Sequence, residues 1–293
     1  MIIGIDIGGT NSRIGGLDNN DKIVNFRKVA VKDVLKSGDV LLDIKNMIID
    51  NFDINTIEAI SIGIPGTIDI NRKVIVQVPN VKGMNNLNIV EYLNSEFNVP
   101  VFIEKDVNML VQYDLNKYHI DTRGIVVAVY YRTGIGNSIL INGNVLIGKD
   151  GAAGEIGHIP VDNCNIECGC GNYGCLEAVA GGKYLAKLCE NKFPDCHISK
   201  VFVKHGDDEE IKEFIDRMSQ GLCSEINILN PNEVIVGGGI INMEGFPLDY
   251  FKKCVNKHTR KPLPLDNLNI IFVDDNEQKG TIGACLYARN KLR

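Results

Sequence analysis

Residues 2–11 read Ile2-Ile3-Gly4-Ile5-Asp6-Ile7-Gly8-Gly9-Thr10-Asn11. The β-branched run over 2–7 favours a strand. Gly8-Gly9-Thr10 then predicts a turn, and Asn11 to Leu17 a returning strand. A third strand follows from Lys22 to Val31, after the turn residues Asp18 to Asp21. The backbone N–H groups of such a hairpin can face phosphate oxygens. Asp6, on the first strand, is a carboxylate that could hold Mg²⁺ directly or through water. A plain hairpin turn would use the same residues, so the turn alone leaves both readings open.

The pattern recurs. Gly124 to Tyr131 is an apolar strand, Arg132-Thr133-Gly134-Ile135-Gly136 a glycine-containing turn, and Asn137 to Ile141 a returning strand. Two such halves facing each other could hold a nucleotide from both sides. Between them, Val40, Leu41, Ile44, Met47, Ile48 and Phe52 have helical spacing. Ile57 to Ile64 predicts a buried strand closed by Pro65-Gly66, with short strands at 67–70 and 74–78 and a loop opening at Pro79-Asn80. A helix over 88–97 and a strand over 99–103 follow, and the strand delivers Glu104-Lys105-Asp106 to a helix ending near Tyr118. Asp106 therefore lies at the C-terminal end of a strand, where ligands bind in open α/β sheets. Farther on, helices are expected over 176–191, 207–229, 246–255 and 280–291, and strands over 233–236 and 269–273. Gly237-Gly238-Gly239 would let a flat ligand approach the backbone.

His158, Cys168, Cys170 and Cys175 form the sharpest cluster in the chain. Thiolate and imidazole are ligands that Zn²⁺ prefers, and four protein ligands make a closed, structural site. Cys164 lies close enough to compete, although four ligands already suffice. The chain has nine cysteines, and the others are expected as buried free thiols in a reducing cytosol. His119, His197, His205 and His258 have no clustered partners in sequence and are expected at the surface or at caps.

The 293 residues suit two domains or one large one, with 44% apolar content for a core. The net charge of −6 argues against a general nucleic-acid-binding face. No apolar run is long enough for a membrane span, and Met1 to Asp6 lacks the regions of a signal peptide, so a cytoplasmic protein is expected.

Asp6-Ile7-Gly8-Gly9-Thr10-Asn11, Thr133-Gly134-Ile135-Gly136, Gly154-Glu155-Ile156-Gly157-His158, the Cys168–Cys175 cluster with Leu176-Glu177, and Gly237-Gly238-Gly239 occur in this order. Together they resemble the ROK family of repressors, open reading frames and sugar kinases. The resemblance implies the actin-like ATPase (ribonuclease H-like) α/β fold, with two domains around a cleft. These would be an N-terminal α/β domain at 1–118, and a C-terminal α/β domain with the zinc-binding insertion at 119–277. The terminal helix, about 278–293, would pack back on the first domain.

It further implies ATP and Mg²⁺ at Asp6, Gly8, Gly9, Thr10, Asn11, Thr133, Gly134 and Gly136, and adenosine at Gly237, Gly238 and Gly239. Asp106 matches the catalytic base. Gly66, Asn80, Asp106, Glu155, His158 and Glu177 match sugar contacts, and His158, Cys168, Cys170 and Cys175 match the ligands of a structural Zn²⁺. His158 would serve the metal with one ring nitrogen and the sugar with the other. The family usually has Asn where this chain has Lys105, which replaces an amide with a cation that only donates. The D-allose kinase branch carries a basic residue there, so the resemblance implies an ATP-dependent hexose 6-kinase acting on D-allose, with glucose, N-acetylmannosamine and fructose as alternatives. A sugar-responsive regulator of the same family is a further alternative. Such regulators carry a helix-turn-helix region ahead of the first strand, and only five residues precede Asp6. A catalytically silent sugar-binding protein is disfavoured by Asp106 and the two turns. Homodimers are common in the family.

Overall fold

A computed structural model describes residues 1–18, 20–79 and 81–293. The chain divides into two compact units. The first comprises Met1–Ile120, Ile147–Ala153 and Asn276–Arg293, and the second Asp121–Leu146 and Gly154–Asp275.

The first unit is built on strands β1 (Ile2–Ile7), β2 (Asn11–Leu17), β3 (Ile23–Ala30) and β4 (Ala59–Ile64). A short hairpin, β5 (Thr67–Ile68) and β6 (Ile75–Gln77), precedes β7 (Val101–Lys105). The sheet order is β3-β2-β1-β4-β7. All six residues of β1 are buried, because helices cover both faces of a central strand, and the run is apolar but for Asp6 near its end. β1 pairs antiparallel with β2 and parallel with β4, and β4 runs parallel to β7. Asp6, Gly63 and Glu104 thus form one row across three strands at the same end of the sheet.

The C-terminal helix, Lys279–Leu292, packs on this unit through glycines. A Cβ on Gly283 would lie 1.9 Å from the Met109 carbonyl oxygen, and one on Gly4 would lie 2.2 Å from that of Thr281. Those two positions accept no side chain without moving the helix.

The second unit repeats the scheme. Its strands are β8 (Ile125–Tyr131), β9 (Ile135–Ile141), β10 (Asn144–Val145), β11 (Glu233–Gly237) and β12 (Ile270–Phe272), in the order β10-β9-β8-β11-β12. The central strand again has one antiparallel neighbour, β9, and one parallel neighbour, β11. The helix Glu209–Leu229 buries Ile211, Phe214, Ile215, Met218, Leu222 and Ile226 at helical spacing. Left-handed Asn230 ends it, and Pro231 prevents its continuation.

Two expectations from the sequence change. The helix expected over 176–191 is two helices, Glu177–Ala180 and Gly182–Lys192, separated by extended Gly181. Residues 147–153, expected with the second domain, group with the first unit, where Ala153 accepts a hydrogen bond from Lys105. No helix among the described residues is long and apolar enough to cross a membrane.

Candidate active site

The first unit gathers carboxylates at one end of its sheet. Asp106 is the first residue of the helix Asp106–Lys117 and follows β7 directly. It is half-buried, and its Oδ1 accepts from the Val107 N–H at 2.8 Å. Glu104 is 1% exposed and accepts from Arg72 Nε at 3.1 Å, Asn108 Nδ2 at 3.0 Å and the Lys105 N–H at 2.8 Å. Those donors compensate a carboxylate that burial would otherwise penalise. Lys105 is 7% exposed, and its Nζ donates to the Ala153 carbonyl at 3.1 Å. Gly66 sits so close to the β6 backbone that a Cβ would lie 2.1 Å from the Gln77 carbonyl oxygen. Asn80 lies outside the described residues.

Asp6 is buried at the end of β1, and Arg13 Nη1 stands 3.2 Å from its Oδ2. A Cβ on Gly280 would lie 2.6 Å from the Asp6 carboxylate carbon, so the first turn of the C-terminal helix abuts this carboxylate. The turn beyond it is closed by Gly8 N–H donating to the Asn11 carbonyl at 2.9 Å, which leaves Gly9 and Thr10 exposed at its tip. Asp6 is a carboxylate, the hard oxygen donor type that Mg²⁺ takes.

The second unit carries the other turn. Gly182 N–H donates to the Arg132 carbonyl at 2.9 Å, and Lys183 N–H to that of Thr133 at 3.0 Å. The Ile135 N–H donates to Glu177 Oε2 at 2.8 Å. Thr133 is exposed, while Gly134 and Gly136 are half-buried. Gly134 lies against the same carboxylate, since a Cβ there would be 2.2 Å from Oε2. Glu177, expected only as a sugar contact, is therefore also bonded to the turn.

Gly237, Gly238 and Gly239 differ from one another. A Cβ on Gly237 would meet Val273, and Gly238, at φ +99°, packs its α-carbon onto the Tyr131 backbone. Nothing lies within 4 Å of a Cβ on Gly239, which is exposed. Only Gly239 presents open backbone to a ligand.

The cysteine cluster is folded by its own ladder. Leu176 N–H donates to Ile159, Val161 N–H to Gly174, and Cys168 N–H to Asn172, which brings Cys175 back beside the His158 turn. The ligand atoms of His158, Cys168, Cys170 and Cys175 all lie within 4.8 Å of one another. Cys168 Sγ is 3.6 Å from His158 Nδ1, and Cys170 Sγ is 3.7 Å from Cys175 Sγ. Tetrahedral Zn²⁺ with ordinary bond lengths requires separations of about 3.6 Å for a nitrogen–sulfur edge and about 3.8 Å for a sulfur–sulfur edge. The four residues thus fit the ion, and Cys164 is not among them. Burial pushes the Cys175 thiol up to about 12, whereas the Asn172 backbone N–H holds Cys170 down. A bound dication reverses the effect of burial by favouring thiolates. With Nδ1 towards the cluster, His158 Nε2 is left 3.8 Å from Glu155 Oε2.

Sequence reasoning missed three supports. Arg13 is the direct cross-strand neighbour of Asp6, which counting outward from the turn would have found. Gly181-Gly182 signals a chain break by itself, but its partner, a turn about 50 residues earlier, gives no signal. His258, expected without a partner, binds Asp216 with Nε2 2.8 Å from Oδ1; His258, Gln220 and Lys257 hold Asp216 down to about 2 against the opposing effect of burial.

A sequence profile of the ROK family matches residues 2–291. The glucokinase of Thermotoga maritima is 29% identical over 263 residues, which is 82% of each chain. The N-acetylglucosamine repressor of Escherichia coli O157:H7 is 30% identical over 220 residues, covering 69% of this chain and 53% of the repressor. Among solved structures, a ROK family glucokinase of Streptomyces griseus in complex with glucose and AMPPNP has a TM-score of 0.81 and 24% identity, with 99% of each chain covered. The two mixed sheets are those of the actin-like ATPase fold. With its profile matched almost from end to end, this chain belongs to the ROK family.

Proposed function

We propose that this chain transfers the γ-phosphoryl group of ATP to the 6-hydroxyl of a hexose, with D-allose as the preferred sugar. The sugar kinase reading is carried by one observation. Asp6 and Glu104 occupy the same row across β1, β4 and β7, so Asp106 emerges at the same sheet end as the first glycine turn. A phosphate-side carboxylate and a candidate base belong there in a phosphoryl transferase. The relatedness to glucokinases supports the same reaction class.

In this reading Asp106 accepts the proton of the sugar hydroxyl as the hydroxyl oxygen attacks phosphorus. General-base help of this kind is worth about 10²–10⁴ in rate. Backbone N–H groups of the 8–11 and 133–136 turns, other than those of Gly8 and Ile135, which already donate to Asn11 and Glu177, receive phosphate oxygens, and Gly239 leaves room for the adenosine. Mg²⁺, when bound near Asp6, neutralises charge on the phosphates. Gly66, Asn80, Glu155, His158 and Glu177 are carried over from the family as sugar contacts, and a zinc ion bound by His158, Cys168, Cys170 and Cys175 would fix the His158 ring through Nδ1. Preference for allose rests on Lys105, which stands where the family has an amide. The reaction belongs in the cytoplasm, where ATP is supplied and thiols stay reduced.

A sugar-responsive regulator is the second reading, favoured by 30% identity to a repressor. ADP release measured across allose, glucose, N-acetylmannosamine and fructose separates the two. Turnover with allose at the highest kcat/KM, and a 6-phosphate product, is expected. A higher value with another hexose would remove the allose assignment. Sugar binding without any ADP release would favour the regulator.

A further inference from the structure

Glu225 is a buried acid on the helix Glu209–Leu229 and is not among the site residues named above. Its Oε2 accepts from Asn137 Nδ2 at 2.9 Å, and the same Nδ2 donates to the Ala128 carbonyl at 3.2 Å. Asn137 is 3% exposed and immediately follows Gly136, the last residue of the second glycine turn. Its amide therefore ties the two strands that carry this turn, β8 and β9, to the helix behind them. The helix is itself fixed, since Tyr131 Oη donates to the Met218 carbonyl at 2.7 Å and Gly221 lies directly against Leu176.

Asn137 also packs against Gly154. A Cβ on Gly154 would lie 2.9 Å from the Asn137 carbonyl oxygen and 3.2 Å from its Oδ1. Gly154 begins the segment that carries Glu155 and His158. One buried amide thus underlies both the turn and the root of the histidine loop.

Stability alone does not call for an acid at 225. Burial pushes Glu225 up to about 8, so it is largely neutral near pH 7 and occupies the volume of an aliphatic residue. A leucine would fill that space without the cost of desolvating a carboxyl group. What leucine lacks is an acceptor for Asn137.

We infer that Glu225 is a positioning residue for phosphoryl transfer, acting through Asn137 to hold the Thr133–Gly136 turn in its nucleotide-receiving geometry. This role rests on reading that turn as a phosphate turn.

The test compares wild type, Glu225→Gln, Glu225→Leu and Glu225→Met in the full chain. It uses ADP binding by calorimetry, the KM for ATP and thermal melting. Gln keeps an acceptor, so ADP affinity within about twofold of wild type is expected. Leu and Met are expected to melt within a few degrees of wild type, since sparing a buried acid offsets part of the cost of the donor left on Asn137, yet to bind ADP about tenfold more weakly, with the KM for ATP rising in step and kcat changing less. Normal ADP affinity in either folded apolar variant would overturn the role, as would equal losses in Gln and Leu. Failure of the wild type itself to bind ADP would overturn the phosphate-turn reading, and this role with it.

Discussion

Glu177 Oε2 accepts a hydrogen bond from the Ile135 N–H at 2.8 Å. The residue that closes the cysteine cluster therefore also braces the second glycine turn. Gly134 is pressed against the same oxygen, so no other side chain could take its place from that direction. Glu177→Ala is expected to lower kcat/KM for ATP by about 10²-fold, because misplacing a turn by an ångström costs about that much. Glu177→Gln presents an acceptor of the same reach and is expected to lose less than about tenfold. Steady-state kinetics at saturating sugar decide the point, and equal losses would remove the bracing role.

The cluster of His158, Cys168, Cys170 and Cys175 predicts one tightly held zinc per chain. Structural zinc is worth on the order of 10–16 kcal/mol to a small site, so the ladder over 159–176 is expected to open when metal is removed. Elemental analysis of protein prepared without added zinc should return about one equivalent. After chelation, amide exchange should accelerate across that ladder while the β8–β11 core stays protected. Metal-free protein with an unchanged exchange pattern would show that the four side chains hold nothing.

Lys279 Nζ and Asp114 Oδ2 are 2.8 Å apart, with side-chain exposures of 1% and 0%. The pair joins the C-terminal helix to the helix that begins at Asp106. Removing one charge from a buried pair costs about 3–5 kcal/mol, since the other is left desolvated and uncompensated. Lys279→Met is therefore expected to melt well below wild type. Lys279→Met with Asp114→Leu should recover most of the loss, because an apolar pair needs no compensation. Urea melts of the two variants distinguish this from simple packing damage, which the double variant would make worse.

The strands and turns were legible in the sequence because β1 is apolar but for Asp6 and runs directly into Gly8, and β8 is wholly apolar with Gly134 close behind it. Both facts follow from burial on two faces and from local turn chemistry. The cysteine cluster was legible for the same reason, since its ligands lie within 18 residues of one another. What the sequence hid is long-range support. Arg72 on Glu104, Gly182 on Arg132 and Glu225 on Asn137 are each separated by more than 30 residues. No periodicity records such pairs, because each depends on how separate elements pack. The break at Gly181 was legible in the Gly181-Gly182 pair but was passed over because helical spacing continues through it; what the sequence hides is that the pair contacts the 132–133 backbone.

Asp106 begins a helix, and its carboxylate already accepts from the Val107 N–H. A cap would be satisfied equally well by asparagine, whereas a base would not. Asp106→Asn is expected to keep its melting temperature within a few degrees and to bind sugar, while kcat falls by about 10²–10⁴. Sugar binding by calorimetry and single-turnover product formation read the two properties separately. A near-normal kcat would leave Asp106 as a cap only.

Lys105 is engaged by both its side chain and its backbone. Its Nζ donates to the Ala153 carbonyl at 3.1 Å, and its backbone N–H donates to Glu104. Asparagine, the usual family residue, is too short to hold Ala153 in the same way, but it can both donate to and accept from sugar hydroxyls. Lys105→Asn is therefore expected to lower kcat/KM for allose by about tenfold or more, equivalent to about 1.4 kcal/mol of transition-state binding. The value for glucose should fall less, or rise. Lys105→Met keeps the stem and removes the donor, so both sugars should suffer together. If the allose-to-glucose ratio is the same in wild type and Lys105→Asn, position 105 supports the 147–153 segment and does not choose the sugar.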